Sequence, residues 1–357
     1  MTDQPPAKPF SFYIPVRPDW LALRAEEAIE PDLPIVDPHH HLWDRERPGG
    51  GYLLAALLGD LGSGHRIVAT VFIQCRAMYR ASGPAALRSL GEVEFANGIA
   101  AMSASGQYGA TRVAAGIVGY ADLTLGAAVE ETLEAYRRYG GQRLRGVRHS
   151  TSRDDDPVLA HPSYQPAPGL MGQAKFREGF ARLAQYGLSF DSWLYHPQID
   201  ELVDLARAFP ETPIVLDHAG GPLGAGRYAG RRAEVFADWS AAMRRLAACP
   251  NVHVKLGGLA QAVNGFGFEL AALPPDSATL AAAWQPYVAH CLDSFGAARC
   301  MFESNFPVDK GSYSYGTFWN ACKRLVAGAS ESEKAAVFHG TAAKFYRLDP
   351  PAECAAA

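Results

Sequence analysis

Short apolar runs of four to nine residues recur along the chain, and longer stretches with a helical pattern separate them. Strands that alternate with helices of about 10–15 residues predict βαβ units and a parallel sheet. Eight such runs favour a (β/α)8 TIM barrel over an open doubly wound sheet, which usually carries a Gly-rich phosphate turn where this chain has "DPHHHLWD". The predicted strands are 34–37, 66–74, 112–120, 143–149, 188–195, 213–218, 251–258 and 299–303.

The ends of the chain stand outside this alternation. Residues 1–33 are rich in proline and charge and predict an N-terminal arm, with one short helix over "DWLALRAEEAIE". The barrel is expected to span 34–348, followed by a C-terminal tail at 349–357. Ser330 and Glu333 form a capping-box pattern that predicts the start of the last helix.

Because barrel enzymes place their active sites at the carboxyl ends of the strands, polar residues at those ends are the site candidates. At the end of the first strand, His39 and His41 point to the same side of an extended chain and can share a metal ion or a substrate oxygen. His40 points the other way and is expected to be structural. His218 ends the sixth strand, and the Gly-rich loop after it lets the backbone approach a ligand.

Two basic residues are further candidates for substrate binding. Arg148, at the end of the fourth strand, suits a carboxylate because a guanidinium binds one with two parallel hydrogen bonds. A salt bridge on the barrel rim fits its position equally well. Lys255 on the seventh strand would point into the barrel and need a partner anion, for which Glu303 on the next strand is the obvious choice.

Other residues are predicted to form the pocket wall. Gln74 could donate a hydrogen bond there, and Trp193 could form one side of the pocket. His196 is either a ligand contact or a helix-start residue, since a proline follows it. The long loop at 150–172 either covers the pocket and sets specificity or forms a packing or homo-oligomer contact.

Composition and charge narrow the class of protein. The formal net charge of −4 favours neither nucleic acid nor an anionic membrane surface as a partner. No apolar run approaches the roughly 18 residues of a membrane span, and the first residues lack the pattern of a secretory signal. The six cysteines are scattered, which favours reduced thiols in a cytoplasmic protein that acts on a small molecule.

The strand-end motifs "PIVDPHHHLWD", "GVRH", "VLDHAGGP", "VKLGGL" and "MFESNFPVD", in this order, resemble the amidohydrolase superfamily. The closest branch is amidohydrolase-2, which contains 2-pyrone-4,6-dicarboxylate lactonase and sugar-acid lactonases. The resemblance implies a hydrolytic site in which His39 and His41 bind a divalent metal, with His218 joining them or polarising the substrate. It also implies that the ion, Zn²⁺ or Mn²⁺, is weakly held or absent in the lactonase branch.

The eighth strand end departs from the family pattern. Asn305 stands where the family usually has an aspartate that acts as general base, and a neutral amide cannot take a proton from water. Glu303 stands where the family has glycine. One hypothesis makes Glu303 the replacement base, with Asn305 orienting the water, and another gives that role to Asp309. A third has Glu303 only pair with Lys255 in a site that has lost hydrolysis.

The resemblance therefore implies a hydrolase that opens a lactone, or a related cyclic ester, of a small carboxylated or hydroxylated substrate. In this reaction a carboxylate takes the proton of the attacking water, while the histidines stabilise the oxyanion. Two alternatives stay open at this point. They are a non-oxidative decarboxylase of an aromatic or unsaturated acid and a barrel that only binds a ligand.

Overall fold

The computed structural model describes residues 10–44 and 50–348, which contain eight parallel strands whose order in the sheet follows the sequence. The (β/α)8 prediction is confirmed. The predicted tail at 349–357 and the first nine residues of the arm lie outside the described residues. The strands are β1 (Ile35–His40), β2 (Ile67–Ile73), β3 (Arg112–Gly119), β4 (Leu144–Arg148), β5 (Ser189–Ser192), β6 (Ile214–Leu216), β7 (Val252–Gly257) and β8 (Cys300–Glu303).

Helices surround the sheet and cover the apolar strands, whose residues are nearly all buried. A π-helical turn, Ala336–Gly340, joins the last two helices. None of the helices in the described ranges is both long and apolar enough to cross a bilayer. The helices are α1 (Pro18–Leu21), α2 (Leu54–Leu61), α3 (Leu90–Ala104), α4 (Glu130–Gly140), α5 (Ala174–Gln185), α6 (Ile199–Ala208), α7 (Arg232–Ala247), α8 (Ser277–Phe295), α9 (Tyr315–Leu325), α10 (Glu331–Ala335) and α11 (Thr341–Phe345).

The barrel closes where the segment after β8 meets β1. The backbone N–H of Asn305 donates to the carbonyl of His39 at 3.0 Å. The buried carboxylate of Asp37 accepts hydrogen bonds from Ser304, at 3.0 Å from its backbone nitrogen and 2.6 Å from its hydroxyl, and from the Tyr315 hydroxyl at 2.9 Å. These bonds hold the ends of β1 and β8 side by side, which brings two of the predicted site strands together.

The helix predicted in the N-terminal arm is much shorter than expected. It ends at Leu21, and the chain from Glu26 to Glu30 bonds to α9. Asn320 accepts from the backbone of Ile29 at 2.8 Å and donates to the carbonyl of Glu27 at 2.8 Å. Lys323 donates to the carbonyl of Ile29 at 2.7 Å. Tertiary hydrogen bonds therefore replace the helical ones that the local pattern favoured.

Two helical glycines offer a matched test of the packing around the barrel. A Cβ at Gly179 in α5 would lie 2.3 Å from the carbonyl oxygen of Leu123, whereas one at Gly98 in α3 would meet nothing within 4 Å. We expect Gly179→Ala to lower the free energy of unfolding by about 2–4 kcal/mol, because the backbone at Leu123 must move. Gly98→Ala should raise it by about 0.5–1 kcal/mol. Urea denaturation measures the free energy of unfolding of both variants. Equal changes in the two variants would contradict the close contact between Gly179 and Leu123.

Candidate active site

A pocket opens at the carboxyl ends of the strands, which is the end where barrel enzymes carry their active sites. Among the described residues that line it there is no aspartate or glutamate, whereas two arginines and three histidines are present. Six of the residues that we predicted from the sequence line this pocket: His41, Gln74, Arg148, Trp193, His218 and Asn305.

The other predicted residues lie beneath the pocket or beside it. His39, Lys255, Glu303 and Asp309 are fully buried and do not line it. His196 accepts a hydrogen bond from the backbone N–H of Leu223 at 3.3 Å and lies outside the lining. Burial lowers the pKa of His196 to about 4, so its imidazole is neutral near pH 7 and supports the loop after β6.

Glu303 is the centre of a buried network of imidazoles. Its Oε2 lies 2.6 Å from Nδ1 of His39, and its Oε1 lies 2.7 Å from Nδ1 of His218. The same Oε1 accepts the backbone N–H of His218 at 2.8 Å. Because a carboxylate only accepts hydrogen bonds, the His218 contact places a proton on Nδ1 of that ring and its lone pair on Nε2. Nδ1 of His39 lies between the Glu303 carboxylate and the Lys255 ammonium, whose Nζ is 3.2 Å away.

His41 reaches the same tautomer through a different partner. Its Nδ1 donates to the carbonyl oxygen of Ile73 at 2.8 Å, so its lone pair is also on Nε2. That atom lies 3.3 Å from Nε2 of His39. The Arg148 guanidinium lies beside the same atom, with Nη1 3.3 Å from Nε2 of His39.

Glycines at the end of β7 make room for this network. A Cβ at Gly258, where φ is +61°, would lie 2.1 Å from Nδ1 of His218. A Cβ at Gly257 would lie 2.0 Å from the carbonyl oxygen of Glu303. The two glycines of "VKLGG" are therefore required sterically, because any side chain there would displace His218 or Glu303.

A charged layer lies beneath the imidazoles. The Lys255 ammonium lies 2.8 Å from Asp191, 2.9 Å from Asp217 and 3.9 Å from Glu303, and all four side chains are fully buried. The sequence predicted Glu303 as the partner of Lys255, but the two aspartates are closer. Arg148 extends the layer, with Nη1 3.3 Å from Oδ2 of Asp217 and Nη2 bonded to the carbonyl of Gln74.

The pKa values in this layer follow from the arrangement of the charges. Burial alone would raise the pKa of Glu303, but attraction to His218 and His39 outweighs it and holds the pKa well below its usual range. Burial would also raise the pKa of Asp217, but attraction to Lys255 holds it well below its usual range. Burial raises the pKa of Asp191 to about 6. Burial and the charge of Lys255 lower the pKa of His39 to about 4. Near pH 7 the layer thus combines an ionised Glu303 with a neutral His39.

The outer wall of the pocket includes residues that the sequence analysis missed. The rings of His161 and Tyr164, from the loop after β4, are stacked with centroids 4.1 Å apart. The Arg76 guanidinium lies 4.7 Å from the Tyr164 ring and bonds to the carbonyl of Ser163. Tyr13 of the arm completes this wall, 3.4 Å from Nε2 of His161. The strand-end rule could have identified Arg76, which lies two residues beyond Gln74.

Two sets of residues are candidate ligands of a metal ion. His39, His218 and Glu303 lie close enough to hold one, with ligand atoms within 4.8 Å of one another. Their contacts of 2.6 and 2.7 Å are hydrogen-bond lengths, however, and are shorter than the ~3.3 Å between two ligands of a tetrahedral ion with ~2.0–2.1 Å bonds. The 3.3 Å between Nε2 of His39 and Nε2 of His41 matches that spacing. These two imidazoles fit a shared ion best, with Glu303 and the carbonyl of Ile73 in contact with their Nδ1 atoms.

The buried ammonium of Lys255 can be tested by stability. We expect Lys255→Met to lower the free energy of unfolding by about 3–5 kcal/mol, because it leaves neighbouring carboxylates buried without their cation. Lys175→Met is the control, since Lys175 forms an exposed ion pair with Glu178 and its loss should change stability little. Denaturant titration compares the two variants. Similar small effects would show that the carboxylates do not need Lys255.

Comparisons with known proteins agree with this architecture. The family model described as "Amidohydrolase" matches residues 36–348. The uncharacterized protein y4mH of Sinorhizobium fredii is 32% identical over 89% of this chain and 99% of its own length. An L-fucono-1,5-lactonase of Burkholderia ambifaria is 30% identical over 68% of this chain and 73% of its own. A crystal structure of a Burkholderia multivorans amidohydrolase with bound zinc is 26% identical, with a TM-score of 0.68, and covers 88% of this chain and 99% of that one. The chain therefore belongs to the amidohydrolase family of hydrolytic enzymes.

Proposed function

We propose that this enzyme opens the lactone of a small hydroxylated or carboxylated acid by attack of water on the ring carbonyl. One observation carries the proposal. The imidazoles of His41 and His218, the guanidinium of Arg148 and the amide of Asn305 converge on one pocket at the barrel mouth. The L-fucono-1,5-lactonases among the relatives support the same reaction.

The charge that develops on the carbonyl oxygen needs a hydrogen-bond donor or a cation. Arg148 is suited to this role because its guanidinium is held in place by Asp217 and by the carbonyl of Gln74. A divalent ion such as Zn²⁺ or Mn²⁺, held by His39 and His41, would polarise the carbonyl as a Lewis acid. Arg148 stands 3.3 Å from Nε2 of His39, and its positive charge would weaken such an ion's binding.

The proton of the attacking water requires a base with an accessible lone pair. His218 lines the pocket, and its Nδ1–H is bonded to Glu303, so Nε2 is the atom that can accept a proton. Glu303 has no exposed atoms and a strongly lowered pKa, which suits it to hold the tautomer of His218 and to stabilise the imidazolium. We therefore propose that His218 is the base and that Glu303 acts through it.

A substrate screen tests the reaction itself. Proton release from a panel of lactones, including L-fucono-1,5-lactone, is measured with and without added Zn²⁺ or Mn²⁺. Release of carbon dioxide from aromatic acids is measured in parallel and would support the decarboxylase alternative. Ligand binding without any turnover would support a binding protein, and either result would overturn the lactonase proposal.

Replacing Glu303 tests how the base is held. Glu303→Gln presents an N–H₂ group to one imidazole Nδ1–H, so that imidazole must change its tautomer. We expect kcat to fall by about 100-fold or more with the fold retained. Glu234→Gln, an exposed carboxylate on α7, is the control and should behave as wild type. Circular dichroism verifies the fold, and near-normal turnover by Glu303→Gln would contradict the mechanism.

Arg76 gives a test of substrate charge. Because the described lining contains no acidic side chain, a substrate carboxylate near Arg76 should improve binding. We expect Arg76→Met to raise KM by about 10-fold for a carboxylated lactone, the loss expected for one charge-assisted hydrogen bond, and little for its neutral counterpart. Arg80→Met is the control, because Arg80 pairs with Glu94 away from the pocket. Equal changes in KM for the two substrates would show that Arg76 does not bind the substrate carboxylate.

A further inference from the structure

We infer that Asp309 is a positioning residue that acts through Asn305. It fixes the Asn305 side-chain amide so that its oxygen faces the pocket and accepts a hydrogen bond from the attacking water. This inference rests on the proposed function. It gives Asn305 and Asp309 a joint role, in place of the separate roles of water-orienting residue and rival base that the sequence suggested for them.

The carboxylate of Asp309 determines which end of the Asn305 amide it meets. Its Oδ1 accepts a hydrogen bond from Nδ2 of Asn305 at 3.0 Å. Its Oδ2 accepts one from the Tyr313 hydroxyl at 2.7 Å and one from the backbone N–H of Ala260 at 3.4 Å. Burial raises the pKa of Asp309 to about 6, so its carboxylate is ionised near pH 7. An ionised carboxylate can only accept hydrogen bonds, so the nitrogen end of the amide must face it.

The fixed amide leaves its oxygen directed away from Asp309. Asn305 is 1% exposed, and its Oδ1 has no hydrogen-bond partner among residues 10–44 and 50–348. The residue also lines the pocket. A buried carbonyl oxygen without a partner costs free energy, and a donor that enters the pocket recovers it. Water that approaches a substrate carbonyl is such a donor.

The backbone holds Asn305 in the place where this orientation matters. Its φ is +56°, in the left-handed region that asparagine tolerates better than most residues, and its N–H is bonded to His39. Asp309 and Tyr313 are both fully buried and, unlike Asn305, do not line the pocket. Their contacts hold the amide in a single orientation, and Asn305 is the residue of the pair that a water molecule in the pocket meets.

A carboxylate at position 305 would not fit beside Asp309 in the same way. Two carboxylate oxygens would then stand about 3 Å apart with no hydrogen between them, and both could not be ionised. The amide at 305 and the carboxylate at 309 are therefore complementary. Exchanging the two groups should preserve the hydrogen bond between them and still direct an oxygen to the pocket.

The experiment compares Asp309→Asn, the exchange N305D/D309N and Tyr313→Phe with wild type, with Asp293→Asn on the exposed side of α8 as the control. In Asp309→Asn two N–H₂ groups would meet, so the Asn305 amide should rotate and present its nitrogen to the pocket. We expect kcat on the lactone to fall by about 10- to 100-fold, with KM within about threefold. The exchange should recover most of this loss, and Tyr313→Phe should have a smaller effect.

A second measurement does not depend on turnover. Crystal structures of wild type and Asp309→Asn should show an ordered water within hydrogen-bond distance of Asn305 Oδ1 in wild type, and a displaced or differently bonded water in the variant. Unchanged solvent around Asn305 would overturn the inference, as would equal activity of Asp309→Asn and the control. If wild type opened no lactone, the proposed function would fail, and the solvent structure would still decide the role of Asp309.

Discussion

The buried ammonium of Lys255 is the interaction on which the rest of the site depends. It lies within 4 Å of three carboxylates that have no contact with solvent. Isolated charges in such an environment would lose their ionisation instead of being buried. Lys255 keeps Asp217 ionised, and His218 and His39 keep Glu303 ionised, so the barrel interior holds both signs of charge close together.

The geometry at the pocket follows from the charge of Glu303. An ionised Glu303 holds the proton of His218 on Nδ1, which directs the Nε2 lone pair of that ring away from the charged layer, and it also contacts Nδ1 of His39. The glycines that end β7 provide the space for this arrangement. Glu303 on β8 thus contacts two imidazoles, and the amide nitrogen at position 305 faces Asp309.

The pocket above this layer is built from different parts of the chain. Asp154 and Asp156 bind Arg227, at 2.7 Å from its guanidinium and 2.6 Å from its backbone nitrogen, and so connect the loop after β4 to the loop after β6. Tyr13 reaches the same wall from the N-terminal arm. The strand ends thus carry the groups proposed to react, whereas the loops and the arm form the wall of the space that a substrate enters. Other barrels divide the two tasks in the same way, with catalytic residues at strand ends and substrate selectivity in the loops.

The sequence by itself determined the eight-strand alternation and the strand ends that carry His41, His218 and Asn305, because both follow from local periodicity. It predicted that Lys255 points inward and needs an anion. The identity of that anion, the contact of Glu303 with two imidazoles and the position of Asp309 behind Asn305 were decided only by the tertiary structure. These contacts join strand ends such as Asp191 and Lys255, which lie far apart in the chain, and their distances depend on how the barrel closes and how deeply each side chain is buried. A local pattern can indicate which way a side chain points, but it contains no information on which distant group it meets.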